Sequence, residues 1–142
     1  MAIRTSSATW EGDLPSGKGT INVGENAYEG AYSFASRFEE GEGTNPEELI
    51  AAALAGCYAM ALAHGLAQDG HTPRRVQATA TAHLSKDPAG GFHIPKIDLR
   101  VEAEVPDLDA DTFQRHAEDT KKNCPVSKAL STEITLQASL AD

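Results

Sequence analysis

A long stretch without charged residues constrains this chain more than any other part of its sequence. Leu49 to Ala67 is 19 residues long and carries no formal charge. Asn45 can cap a helix there, Pro46 suits the first helical position, and Glu48 stands three residues after the cap. An Asp-Gly pair behind the stretch provides the stop. The sequence therefore predicts one helix from Pro46 to about Gln68, apolar on nearly all sides and surrounded by protein.

The same stretch is almost long enough to span a bilayer, which takes about 20 predominantly apolar residues. However, ten of its 19 residues are Ala or Gly, which supply little apolar area, and His64 lies inside it. Acidic residues precede it, and no basic anchors flank it. We therefore expect the central helix of a soluble protein and no membrane contact. Its small residues, Ala51 to Ala53 and Ala55 to Gly56 among them, would let another backbone approach closely.

Strand patterns lie on both sides of this helix in the sequence. Strands are predicted at Ile3–Trp10, Thr20–Val23, Asn26–Ser36, Arg75–Lys86, Phe92–Val105 and Thr132–Leu140. Two further helices, Asp109–Lys122 and Cys124–Leu130, precede the last strand. This order predicts an α+β fold, with a twisted and mostly antiparallel sheet wrapped on the long helix. A chain of 142 residues is expected to form one domain over residues 1–142.

Charge and cysteine usage exclude several classes of protein. The formal net charge is −9 and the basic residues are scattered, so we expect no nucleic-acid partner. The chain does not open on a signal-peptide pattern, so we expect a cytoplasmic protein. Its two cysteines lie 67 positions apart and its five histidines show no ligand spacing, so we expect no metal site. Free or catalytic thiols are then more common than a structural disulfide.

Local sequence alone ranks Cys124 as the more reactive of the two thiols. It stands at a predicted helix start among three lysines, and both features favour a thiolate. Cys57 lies in the middle of the long helix, where an apolar setting alone raises a thiol's pKa. Cys57 is therefore either a small buried hydrophobe or a nucleophile that takes its cation from elsewhere in the fold. His64 cannot serve it as a base, because seven helical residues separate the two by about 10 Å.

Four motifs make the sequence recognisable. They are Ser36–Glu39, Gly43–Ile50, Ala55–Cys57 and Asn123–Ser127. Together they resemble the OsmC/Ohr family, and the Trp10–Gly12 turn and the Glu133–Leu136 strand resemble its OsmC branch. The resemblance covers nearly the whole chain. It implies the OsmC-like fold and a thiol-dependent peroxidase that reduces organic hydroperoxides, and hydrogen peroxide less well.

The resemblance also implies residue roles, and these reverse the local ranking. Cys57 matches the peroxidatic thiol and Cys124 the resolving thiol. Arg37 matches the arginine that stabilises the Cys57 thiolate, and Glu47 matches the carboxylate that orients this arginine. Cys57 would pass through a sulfenic acid to a Cys57–Cys124 disulfide. An external dithiol, as family members use in lipoyl form, would reset the pair, with no bound cofactor.

Helix geometry adds an expectation about assembly. Glu47 and Cys57 are ten residues apart on the predicted helix, about 15 Å along its axis. An arginine held by Glu47 is then not expected to reach Cys57 of the same helix. The intertwined homodimer of the family, with active sites at the subunit interface, fits this spacing, and we expect two equivalent sites per dimer.

Two questions stay open from the sequence. Apolar residues near the motifs are candidates for a substrate pocket or for ordinary core packing: Phe34, Phe38, Leu54, Tyr58 and Met60. One alternative to a peroxidase is a redox sensor or thiol-exchange stress protein without peroxide turnover. The other is a non-catalytic binding or stress protein in which Cys57 belongs to the core and Cys124 has no functional role.

Overall fold

The structure of the chain is a computed structural model that describes residues 1–141. The elements in chain order are β1 (Ser7–Glu11), β2 (Lys18–Val23), β3 (Tyr28–Tyr32), α1 (Phe34–Phe38), α2 (Pro46–Gln68), β4 (Arg75–Ala82), β5 (Ser85–Lys86), β6 (Phe92–His93), β7 (Lys96–Glu104), α3 (Ala110–Asn123), α4 (Pro125–Ala129) and β8 (Glu133–Leu140). The chain divides into two compact units, one up to Leu49 and one from Ile50 onwards. The prediction of a single domain stays a prediction.

The first unit is built on an antiparallel meander in the order β1-β2-β3. The turn between β1 and β2 is held by Asp13, whose carboxylate accepts the Ser16 N–H at 2.9 Å. On the sheet, the rings of Trp10 and Tyr32 lie 5.3 Å apart, centroid to centroid. Gly19 lies between them, and a Cβ there would come within 2.4 Å of the Tyr32 ring. The glycine is therefore required by this aromatic contact rather than by its own backbone conformation.

Two predicted strand limits in the first unit are wrong by four residues, and the other limits differ by two residues or fewer. The first strand begins at Ser7 rather than Ile3, because its pairing with β2 starts at Ser7 opposite Asn22. The third strand ends at Tyr32 rather than Ser36. Ser33 starts the short helix α1 there with a reciprocal capping box to Ser36, and this local hydrogen bonding overrides the even spacing of aromatic residues.

The second unit contains a three-stranded sheet in the order β4-β7-β8. Strands β4 and β7 are antiparallel, whereas β7 and β8 are parallel and joined by the crossover through α3 and α4. The four other strand pairs within residues 1–141 are antiparallel, so the prediction of a mostly antiparallel fold holds. The predicted strand at 92–105 is split into β6 and β7, because Pro95 has no N–H to donate to a ladder. The strand at 75–86 is likewise split, into β4 and β5.

Helix α2 has the predicted bounds and both predicted end signals. The Glu48 N–H donates to Asn45 Oδ1 at 2.8 Å at its start. At its end Gly70 adopts φ +89°, and two crossed bonds close a Schellman motif, Gly70 N–H to Ala67 C=O at 3.0 Å and His71 N–H to Leu66 C=O at 2.8 Å. These contacts fix where the helix begins and ends.

One face of α2 forms the core of the second unit. Leu54, Tyr58, Leu62 and Leu66 follow one another at four-residue spacing and are fully buried. They pack against the inward residues of the central strand β7 and against Phe113 of α3. The opposite face is open in this chain, with Met60 77% exposed. The expectation that the whole helix is surrounded by protein is therefore wrong for the single chain. By length and composition α2 could also cross a membrane, and 22% of its most apolar window is buried.

Candidate active site

Arg37 is positioned by the short helix α1 in the first unit. The side chain of Ser36 receives the Ser33 N–H at 2.8 Å, and the Ser33 side chain receives the Ser36 N–H at 3.1 Å. Ser36 also donates to the Thr44 carbonyl at 2.7 Å, and Asn45 Nδ2 donates to the Ser36 carbonyl at 2.9 Å. These bonds join α1 both to Ser33, which precedes it, and to the segment that starts α2. They therefore fix the backbone that carries Arg37.

Arg37 forms a forked ion pair with Glu47 within the same unit. The Arg37 Nη2 donates to Glu47 Oε1 at 2.7 Å, and Nε lies 3.1 and 3.2 Å from the two carboxylate oxygens. The Glu47 side chain is 10% exposed and that of Arg37 is 35% exposed. Glu47 occupies the first turn of α2, where a negative charge is favoured. A side chain held this way presents its guanidinium in one orientation.

The second unit brings the two thiols together. Cys57 is half-buried on α2, and Cys124 is 2% exposed at the corner between α3 and α4. Both are free thiols. Cys57 packs against the buried cluster that contains Cys124, and the Cys124 side chain and the Val126 N–H both influence the pKa of the Cys57 thiol. The parallel crossover between β7 and β8 therefore places Cys124 next to a residue 67 positions earlier in the sequence.

The surroundings of Cys57 disfavour its thiolate. Burial raises the pKa of the Cys57 thiol, the neighbouring Cys124 raises it further, and the Val126 N–H lowers it. The expectation that an apolar helix raises this pKa agrees with the structure. A cation is still needed if Cys57 is to act as a nucleophile near neutral pH.

Other candidates from the sequence have ordinary structural roles. Leu54 and Tyr58 are fully buried core residues, not pocket walls. Met60 is exposed, and the rings of Phe34 and Phe38 pack at a tilt of 43° with centroids 4.9 Å apart. Two of the histidines pair with carboxylates on the surface, His83 with Asp98 and His116 with Asp69. Among residues 1–141, no three His, Cys, Asp or Glu side chains group to hold a metal ion.

The sequence did not predict the contacts of two hydroxyl groups, those of Tyr58 and Ser127. The Tyr58 hydroxyl donates to the Ala117 carbonyl at 2.9 Å and links α2 to α3. The Ser127 hydroxyl lies 2.9 Å from the Cys124 sulfur. Ser127 carries a sequence signal, because it stands three residues after the residue that caps α4. The Tyr58 contact joins positions 59 residues apart and has no local signal.

Comparison with known proteins assigns the family. A family profile described as "OsmC-like protein" matches residues 39–139. The peroxiredoxin OsmC of Escherichia coli (strain K12) is 46% identical over 134 residues, which cover 94% of this chain and 93% of that protein. The chain belongs to the OsmC family.

Further relatives of this OsmC family member extend to organic hydroperoxide resistance proteins. The one from Xanthomonas axonopodis pv. citri (strain 306) is 34% identical over 102 residues, which cover 71% of this chain and 69% of that protein. The crystal structure of the organic hydroperoxide resistance protein OhrB of Bacillus subtilis matches 99% of this chain and 100% of its own, with a TM-score of 0.70 and 26% identity. The predicted OsmC-like α+β fold is confirmed.

Proposed function

We propose that this chain is a thiol-dependent peroxidase that reduces organic hydroperoxides, with Cys57 as the attacking thiol and Cys124 as the resolving thiol. The observation that carries the proposal is the proximity of two free thiols in one buried cluster, one half-buried on α2 and one buried at the α3–α4 corner. Its relatives named peroxiredoxin and organic hydroperoxide resistance protein support the same chemistry.

The first half-reaction oxidises Cys57. Its thiolate attacks the distal oxygen of the hydroperoxide, an S–O bond forms, the O–O bond breaks, and the alkoxide leaves and takes a proton as the alcohol. Burial raises the pKa of the Cys57 thiol, so the thiolate needs a stabilising cation. We assign this role to Arg37, whose orientation is set by its forked pair with Glu47.

The second half-reaction returns Cys57 to the thiol. Cys124 attacks the Cys57 sulfenic sulfur, the S–S bond forms, and hydroxide leaves with the Cys124 proton as water. An external dithiol then attacks the disulfide and is itself oxidised to a cyclic or linear disulfide. A lipoyl-type dithiol in a reducing cytoplasm is our proposal for this reductant. The two thiols thus supply the two electrons that the hydroperoxide receives.

We further propose that the active form is a homodimer that packs through the open face of α2. Ala52, Ala53 and Gly56 are exposed small residues on this face, and Met60 extends from it. A Cβ added at Gly56 would meet nothing within 4 Å, so the chain itself does not require a glycine there. A close approach by the same helix of a second copy would require a small residue at this position, because a larger side chain would hold the two helices apart. A twofold pairing would bring Glu47 and Arg37 of one copy to Cys57 of the other.

Steady-state consumption of cumene hydroperoxide with dihydrolipoamide tests the proposal. Cys57→Ser should abolish turnover, and Cys124→Ser should accumulate a Cys57 sulfenic acid that dimedone traps. Serine is close to cysteine in size, and at position 124 its hydroxyl can still cap α4, so both variants should keep the circular dichroism spectrum of the parent. Full turnover in Cys57→Ser would refute the proposal. Disulfide formation without turnover would favour a redox sensor or thiol-exchange protein instead.

A further inference from the structure

The sulfur of Cys124 is hydrogen-bonded by Ser127. The Ser127 hydroxyl lies 2.9 Å from Cys124 Sγ, and the Ser127 backbone N–H donates to the same sulfur at 3.4 Å. Ser127 is 8% exposed and Cys124 is 2% exposed. The hydroxyl and the sulfur thus face each other away from water, where a hydrogen bond is worth more than on the surface.

The backbone at Cys124 explains why this hydroxyl reaches the sulfur. Cys124 is at once the C-cap of α3 and the N-cap of α4. Its own N–H is occupied by the Thr120 carbonyl at 3.0 Å as the last bond of α3. In an ordinary capping box the third helical residue bonds back to the cap N–H, as Ser36 does to Ser33 in α1. At Cys124 that N–H is taken, so Ser127 bonds the side chain instead.

The first turn of α4 contacts both sulfurs through neighbouring residues. The Val126 N–H lowers the pKa of Cys57, and the Ser127 N–H and hydroxyl bond the Cys124 sulfur. The corner therefore sets the position of one sulfur relative to the other. A change in the rotamer of Cys124 would break both Ser127 contacts at once.

We propose that Ser127 is a positioning residue for the second half-reaction. Its hydroxyl donates a hydrogen bond to Cys124 Sγ and holds this sulfur toward Cys57. The proposal extends the proposed peroxidase function and rests on it for its biological setting. While Cys124 is a thiol, either group can donate. Once Cys124 is a thiolate its sulfur can only accept, so the Ser127 O–H must donate.

The same hydrogen bond acts in both directions of the thiol chemistry. When Cys124 attacks an oxidised Cys57, the donated bond stabilises the attacking thiolate and orients it. When an external dithiol attacks Cys57 in the disulfide, the S–S bond breaks and Cys124 leaves with the electron pair, and the bond then stabilises the leaving thiolate. Ser127 is not expected to affect the hydroperoxide step, because the sulfur that attacks in that step is Cys57, whereas Ser127 bonds Cys124.

Ellman's reagent tests this inference without any peroxide. Cys57, the more exposed thiol, attacks the reagent and releases one thionitrobenzoate, leaving a mixed disulfide on Cys57. Cys124 then attacks Cys57 Sγ and releases a second thionitrobenzoate, so the two absorbance phases report the two thiols separately. The variants are Ser127→Ala, together with the matched pair Ser127→Thr and Ser127→Val, which share a shape and differ only in the hydroxyl. Ser139→Ala, an exposed serine on β8, is the control.

We expect Ser127→Ala and Ser127→Val to slow the second phase about tenfold to a hundredfold, the range for losing a hydrogen bond to a charged group, and to move its pH–rate profile to higher pH. The first phase should not change. Ser127→Thr should restore the second phase to within about threefold of the parent, since its hydroxyl can reach the sulfur.

A second phase that is unchanged in Ser127→Ala, or equally slow in Ser127→Thr and Ser127→Val, would overturn the inference. A misfolded variant is recognised because it would alter the first phase and the circular dichroism spectrum as well. The outcome is independent of the proposed function. If the protein fails to consume hydroperoxides but the second phase depends on the hydroxyl, the peroxidase proposal falls while the role of Ser127 in thiol exchange stands.

Discussion

Replacing Glu47 by Gln tests the ion pair on which the proposed activation of Cys57 depends. Gln keeps the volume of the side chain, which is 10% exposed, but it removes the charge and turns one acceptor oxygen into an NH2 donor. Three N–O contacts of 2.7, 3.1 and 3.2 Å join Arg37 to the carboxylate. Gln can satisfy at most part of this fork, and its NH2 group would oppose a guanidinium N–H.

The expected loss is moderate because Arg37 remains partly in water. Hydrogen bonds to charged groups contribute about 1.5–3 kcal/mol. The Arg37 side chain is 35% exposed, so solvent screening places the pair at the lower end, about 1.5 kcal/mol. If the same orientation of Arg37 stabilises the Cys57 thiolate and the departing oxygen, kcat/KM for cumene hydroperoxide should fall about tenfold. The urea concentration at the midpoint of unfolding should also fall, because the same ion pair stabilises the fold.

Glu48→Gln is the matched control. Glu48 lies in the same first turn of α2 and carries the same charge, but its carboxylate accepts the Thr44 hydroxyl at 3.0 Å, a bond that Gln can keep. Both variants therefore change the net charge and the helix start equally. If Glu47→Gln and Glu48→Gln have the same kcat/KM and the same urea midpoint, the ion pair with Arg37 has no role in activity or stability.

Three further substitutions test other parts of the fold by urea denaturation. Tyr58→Phe should cost about 1 kcal/mol, the value of one neutral hydrogen bond, and no loss would show that the link from α2 to α3 is not stabilising. Gly70→Ala should also cost about 1 kcal/mol, because φ is +89° and only backbone strain opposes a methyl group there. The hydrogen bonds from Thr135 and His83 lower the pKa of Asp98. The carboxylate therefore stabilises the fold above its ordinary pKa, and this contribution is lost as the pH falls through the folded value. The free energy of unfolding of Asp98→Asn should lie below that of the parent at pH 7 and approach it in acid. A difference that does not change with pH would show that ionisation of Asp98 does not stabilise the fold.

The sequence predicted best what depends on local chemistry. Helix α2 has its predicted bounds because both ends are encoded by caps, Asn45 at the start and Gly70 at the end. The predicted strand limits differ from the structure where a local hydrogen bond competes with the sheet, at Ser33, and where a residue has no N–H to donate, at Pro95. The parallel pairing of β7 and β8 is set by the crossover through α3 and α4, for which no short segment carries a signal.

The candidate site likewise contains one feature that local motifs predict and one that depends on the whole fold. Arg37 and Glu47 form an ion pair, and both lie in motifs that carry the family resemblance, whereas their roles in catalysis stay a prediction. From local charges alone Cys124 ranked as the more reactive thiol, yet it is 2% exposed, and its neighbour Lys121 is paired with Glu118 at 3.5 Å. Burial is a property of the whole fold, so lysines next to a cysteine in sequence do not establish its reactivity.

The shared cap at Cys124 also makes one backbone amide a reporter of redox state. The Ser127 N–H donates to the Cys124 sulfur in the reduced protein, and a disulfide would change both the electron density and the direction of that acceptor. The amide resonance of Ser127 should therefore move on oxidation, while amides in the middle of α3 stay in place. A single nitrogen-15 spectrum would then follow the thiol pair in real time, with no label on either sulfur.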